Sequence, residues 1–135
     1  MATIKDKHIY YEAVGRRKTA SARVRFEANS KGLFLINGRE LGRYFMSPEL
    51  SRIAKEPMRQ TDTLKNSVSV MVHGGGIHAQ AEAVALGLAR ALILWDKDFK
   101  IPLKQNRHLR RDPRMKERRK FGLKKARKAP QWSKR

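Results

Sequence analysis

A chain of 135 residues whose last quarter is polar and punctuated by Gly and Pro has apolar material for one small core, which excludes a multidomain architecture. Its 32 Lys and Arg against 12 Asp and Glu give a net charge of +20, so it attracts polyanions, and nucleic acid offers the phosphate array that so many cations can neutralise. The absence of cysteine excludes disulfides and thiolate metal sites, and with no run of eighteen apolar residues a membrane is the weaker partner.

The first ten residues have no apolar signal core and carry Asp6, so neither a secretory signal nor an Arg-rich transit peptide is expected, and the location expected is cytoplasmic. Tyr10 to Val14 and Ala20 to Phe26 read as strands. The second alternates Ala20, Ala22, Val24 and Phe26 against Ser21, Arg23 and Arg25, which gives one core face and one wet, basic face. Gly15-Arg16-Arg17-Lys18 is expected to join them as a turn. Leu33 to Ile36 is a third short strand, closed by Asn37-Gly38, whose two residues both tolerate positive φ. Arg39 to Met46 is ambiguous.

Ser47-Pro48-Glu49 has N-cap, first-turn proline and early carboxylate in order, so a short helix is expected to start there and end before Pro57, burying Leu50, Ile53 and Ala54. Val68 to Val72 alternates as a strand. Gly74-Gly75-Gly76 then opens the longest helical pattern, with Ile77, Ala81, Val84, Ala85, Leu88, Leu92 and Trp95 at three- and four-residue steps. Small residues recur in it at Ala79, Ala83, Gly87, Ala89 and Ala91, which allows a close approach to its neighbours. The body is thus α+β, with a sheet and helices in two layers, over residues 1–103.

From 104 to 135 the apolar periodicity fades. Residues 100–135 hold 16 Lys and Arg against 2 Asp and Glu, while residues 1–99 hold 16 against 10, so the charge is segregated. Too few apolar side chains remain there to offset the entropy of ordering, and this tail is expected to order on its partner. Phe121 and Trp132 interleave the charge together with Pro113, Gly122 and Pro130. Such aromatics can stack on exposed bases, a mode of RNA more than of duplex DNA, although Trp132 can equally pack on protein or ribose.

The remaining candidates are weaker. Exposed amides at Gly74, Gly75 and Gly76, with Gln80, could take an RNA phosphate at the positive helix end, or the glycines could serve a tight turn that lets the helix pack on the sheet. Gly76 is followed by Ile77-His78-Ala79 and not by Lys-Ser/Thr, so no nucleotide-binding loop is read. His8, His73, His78 and His108 show no i,i+4 pair and no carboxylate at ligand spacing, so no metal is expected. Asp96 and Asp98 are read as closing the long helix. No nucleophile and base come together, so no catalytic residue, cofactor or enzyme activity is expected.

Three stretches resemble one family. They are Gly15-Arg16-Arg17-Lys18-Thr19-Ala20 with Ala22-Arg23-Val24; Gly74-Gly75-Gly76 with Ala79-Gln80 running to Gly87-Leu88-Ala89-Arg90-Ala91-Leu92; and Arg111-Asp112-Pro113-Arg114 continuing through Gly122-Leu123-Lys124-Lys125-Ala126-Arg127 to Gln131-Trp132-Ser133-Lys134-Arg135. In order and spacing they are similar to the bacterial-type small-subunit ribosomal protein nine family. The resemblance implies an α+β domain like the second domain of ribosomal protein five, seated on rRNA in the head of the small subunit beside other head proteins. It also implies a basic tail that approaches the anticodon stem-loop of peptidyl-site tRNA.

Carried over by position, Ser133, Lys134 and Arg135 fall on the tRNA-facing end. Arg16, Arg17 and Lys18 fall on the rRNA surface, as do Arg107, Arg110, Arg111 and Arg114, then Arg118, Arg119 and Lys120, then Lys124, Lys125, Arg127 and Lys128. His78 stands where the family has a small polar residue and Trp132 where it has Phe, and the segment before Asp112 is more basic than the family pattern. A structural ribosomal subunit is therefore expected, in a cytoplasmic or an organellar ribosome. The alternatives are a free-standing nucleic-acid-binding protein or RNA chaperone, and a small phosphate-handling enzyme using the glycine loop.

Overall fold

The structure is a computed structural model that describes residues 9–134. β1 (Tyr11–Arg17) and β2 (Ala20–Glu27) form an antiparallel hairpin. β5 (Ser67–His73) pairs antiparallel with β2, while β3 (Phe34–Ile36) runs parallel to β5 and carries β4 (Arg39–Glu40) at the edge. The order is β1-β2-β5-β3-β4, so the expected α+β sheet-and-helix class is what forms.

Gly15, Arg16 and Arg17 belong to β1 and not to a turn, because each has a partner in β2 (Ala22, Ser21 and Ala20). The turn is confined to Lys18-Thr19, with Lys18 at φ 49°. Asn37 and Gly38, at φ 49° and 77°, make the tight turn that the dipeptide predicts. The Asn37 side chain also ties that turn to β5, donating to the Val72 carbonyl at 2.8 Å and accepting from its amide at 2.9 Å.

The ambiguous segment after the turn divides into β4 and a short helix, α1 (Leu41–Phe45), which buries Leu41 and Phe45. α2 (Pro48–Gln60) starts where the Ser-Pro-Glu signal places it, although the Ser47 hydroxyl makes no capping bond, and it runs through Pro57 instead of ending before it. A proline inside a helix loses one hydrogen bond and costs about 3 kcal/mol. Pro57 is buried beside Met58, and the following turn is held by Thr61 Oγ1 donating to the Pro57 carbonyl at 3.0 Å, so packing offsets that cost. Ala54 is buried as expected, whereas Leu50 and Ile53 are only partly buried against the core.

α3 (Ile77–Trp95) is the long helix that the periodicity predicts. Residues 83–89 are buried without a break, because the helix lies between the sheet on one side and α2 on the other. Its length and composition would suit a bilayer, but that apolar surface is spent inside the domain. Ile77, counted on the apolar face, is half exposed at the first turn. Beyond α3, Asp96 accepts from the Asp98 amide at 3.0 Å and opens a 3-10 turn (Lys97–Phe99), followed by α4 (Lys100–Gln105), which buries Leu103. Phe26, Trp95 and Phe99 stack in series at centroid distances of 5.2 and 5.6 Å, fastening the end of α3 to β2.

One close approach sets the layer spacing. A Cβ on Gly15 would land on the Ala83 carbonyl oxygen and the Gly87 amide nitrogen, so β1 and α3 touch backbone to backbone. The small residues of α3 thus act as the sequence suggests, and Gly87 is the one that meets a strand glycine.

Candidate nucleic-acid interface

Beyond α4 the chain has no helix or strand among the described residues. Its first turn remains attached to the body: Leu109 packs against the core, and His108 is half-buried. Arg17 holds it there. The residue is 9% exposed, and its guanidinium is shared among three acceptors, with Nε on Glu82 of α3, Nη2 3.3 Å from Asp112, and Nη1 donating to the Arg114 carbonyl at 2.8 Å. A cation held this far from water needs such partners, and a guanidinium can serve three because its donors fan out in a plane. Arg17, expected on the rRNA surface, is therefore turned inward as the fastening of the tail to the body.

The tail beyond this fastening is tied to itself in two places. Arg114 donates through Nη2 and its backbone amide to Asp112 at 2.8 and 3.0 Å, which holds the Asp112 carboxyl far below the usual carboxylate range; the Arg17 charge adds to this. Farther on, Glu117 takes Arg127 at 2.9 Å and Lys120 at 3.3 Å, closing a loop that turns at Gly122 with φ 78°. The two acidic residues of the last 36 thus make the tail's own side-chain ties. Each fixes local shape in a segment whose like charges repel.

Removing these from the expected set leaves the cations that face outward. Arg16 and Lys18 at the hairpin end, Arg107, Arg110 and Arg111 at the tail root, and Arg118, Arg119, Lys124, Lys125 and Lys128 beyond are exposed and have no ion pair with a described carboxylate. Ser133 and Lys134 are exposed, while Arg135 lies outside the described residues, as does His8. Phe121 is fully exposed and Trp132 is 81% exposed, an arrangement that folding of this chain alone does not explain.

The glycine loop has a packing explanation. A Cβ on Gly74 would stand 2.5 Å from the Thr19 carbonyl oxygen, and Gly74 and Gly75 have φ of 75° and 65°, so the loop passes tightly beside the β1–β2 turn. Gln80 is occupied internally, donating to the Gly74 carbonyl at 3.0 Å and accepting from the Tyr44 hydroxyl at 2.8 Å.

Sequence reasoning missed two features here. Glu82 stands one helical turn after His78, and its Oε1 lies 3.6 Å from His78 Nδ1, so His78, contrary to expectation, does have a carboxylate at ligand spacing. No third ligand joins them among the described residues. Glu82 is also the only acidic residue between Asp62 and Asp96, in a helix otherwise built for burial, and such a lone carboxylate signals an internal cation. On the wet face of the sheet, Arg23 and Arg25 both reach Glu12, at 3.5 and 2.7 Å, so that face is less basic than its strand pattern suggests.

The structure therefore presents a small folded body, one inward arginine fastening the tail, and a line of outward cations with exposed aromatics. Residues 15–135 match the family model described as ribosomal protein S9/S16.

Proposed function

The chain belongs to the ribosomal protein S9/S16 family and so to the structural, RNA-binding ribosomal proteins of translation, and on that footing we propose that it binds small-subunit rRNA in the subunit head and contacts peptidyl-site tRNA with its last residues. Residues 1–103 serve as the seat and 104–135 as the extension that reaches toward tRNA. The observation that carries this reading is the sorting of the charge. The tail's own two carboxylates are spent on ties within the tail and on the Arg17 fastening, while ten exposed Lys and Arg of the expected set have no described carboxylate partner. Unmatched cations along a segment of defined shape suit phosphates at several points of one RNA surface. Phe121 and Trp132 supply apolar faces for bases or riboses between those points.

The action is positional. Arg16, Lys18 and the cations from Arg107 to Lys128 neutralise rRNA phosphates, and Ser133, Lys134 and Arg135 meet the tRNA backbone. Deleting residues 133–135 is expected to weaken peptidyl-site tRNA binding about tenfold, for two screened contacts that together contribute about 1.4 kcal/mol. Subunit assembly is expected to be unchanged. Filter binding of tRNA to subunits carrying the shortened chain measures this; unchanged affinity together with unchanged initiation fidelity would contradict a tRNA-facing end.

A further inference from the structure

A cleft of about 450 Å³ opens where the end of β1, α2, α3 and the tail root meet, well within the roughly 300–1,000 Å³ of small-ligand sites. Its charges are not balanced from within. Of its carboxylates, Glu56 lies near Arg52 and Arg59, Glu82 is held by Arg17, and Asp112 by Arg17 and Arg114. Arg16, Arg107 and Arg110 line the same cleft, exposed and without a described carboxylate partner. Glu49 has no ion pair among the described residues either, but it sits exposed in the first turn of α2, where the helix end favours a negative charge. The cleft therefore offers three unmatched cations to an anion.

The rest of its lining is not what a bare anion needs. Ile53, Ala85 and Leu86 give it an apolar wall. His108 also lines it, with its Nε2 turned inward, covered and without a hydrogen-bond partner among the described residues. Burial lowers the His108 pKa, against a smaller opposing effect of Glu56, so at neutral pH the ring is largely uncharged and adds a flat, neutral side beside the apolar wall. A flat group with an attached phosphate satisfies all three parts.

We propose that this cleft captures one unstacked nucleotide of the bound RNA, with its base between the Ile53, Ala85 and Leu86 wall and His108, and its phosphate among Arg16, Arg107 and Arg110. Single-stranded RNA is recognised in this way when a base is splayed out of its stack. A second cleft of about 500 Å³ shares Arg107, Arg110 and Asp112 and continues past Pro113 and Arg114, which gives the neighbouring nucleotides a path along the tail. The Arg17 fastening forms part of the same wall, so the nucleotide site exists only while the tail root is docked. This inference rests on the proposed RNA-binding role and adds to it a site of one-nucleotide size.

The test is nucleotide-by-nucleotide chemical probing of base reactivity in small subunits reconstituted with the full chain. Ala85→Phe fills the cleft from its wall, and Arg110→Ala removes an exposed cation without touching the packed body. Each variant is expected to raise the reactivity of the same single nucleotide about tenfold, as a captured base is freed, while the rest of the footprint stays protected. Should Ala85→Phe fail to fold, Arg110→Ala alone decides. Incorporation with a wild-type pattern, or with an even loss across the whole footprint, would overturn the nucleotide site and leave the RNA-binding reading standing. If the wild-type chain protects no RNA, both fall.

Discussion

Replacing Gly15 by alanine is expected to destabilise the body by more than about 3 kcal/mol, beyond the usual range for overpacking, because the atoms it meets are backbone and not movable side chains. The added methyl would fall on the Ala83 carbonyl and the Gly87 amide, so β1 could keep its pairing with β2 only by lifting away from α3. That separation would expose Val24 and the buried stretch of α3, the largest helical part of the core. Urea unfolding of the isolated chain measures the loss. Gly38→Ala provides the scale: nothing stands within 4 Å of its Cβ position, and only its φ of 77° is unfavourable, which costs about 1–2 kcal/mol. Equal midpoints for the two variants would contradict the backbone contact between strand and helix.

Arg17→Met is expected to release the tail root while leaving the body folded. The methionine keeps the apolar stem but leaves Glu82 and Asp112 without the shared cation and the Arg114 carbonyl without its donor. Breaking a fully buried pair costs about 3–5 kcal/mol; here both carboxylates are about a third exposed, and water reduces the loss to about 2 kcal/mol. Arg17→Lys should rescue little, since one ammonium cannot reach three acceptors in the geometry of a planar fork. Hydrogen exchange at the Arg114 amide, which donates to Asp112 at 3.0 Å, is the measurement, with the rate expected to rise about thirtyfold from that loss of local stability while α3 stays protected. Unchanged exchange there would show that the tail is held without Arg17.

These two positions also mark how far the sequence could be read. The strand at Ala20 to Phe26 and the helix from Ile77 to Trp95 follow from periodicity, because burial on one face or along a stripe writes itself into apolar spacing. Asn37-Gly38 was legible because positive φ restricts residue choice locally. Gly15 was misread as a turn residue for the same reason: glycine signals turns, and the need for it here comes from a helix 72 positions later in the chain, at Gly87. Pro57 misled because the burial that offsets its helix-breaking cost is tertiary.

The cations of the candidate interface were legible as a set but not sorted by role. Arg16 and Arg17 are neighbours of one type, and strand alternation turns one to solvent and the other toward Glu82. The period of two could have supplied that distinction had the strand been extended by three residues. Glu82 was the accessible clue, since a lone carboxylate in a buried helix implies a cation nearby. Its partner Arg17 lies 65 positions before it, and Asp112, which shares that cation, 30 after it, and no local pattern records such a meeting.

The central claim is that the body sits on rRNA and aims the tail at peptidyl-site tRNA. A density map of the small subunit with tRNA bound and this chain incorporated tests it most directly. The account predicts the body in the subunit head, the cations from Arg107 to Lys128 against rRNA, and Lys134 and Arg135 within contact of the tRNA anticodon stem. A chain bound elsewhere, or one whose last residues run over the outer surface away from the tRNA, would contradict it.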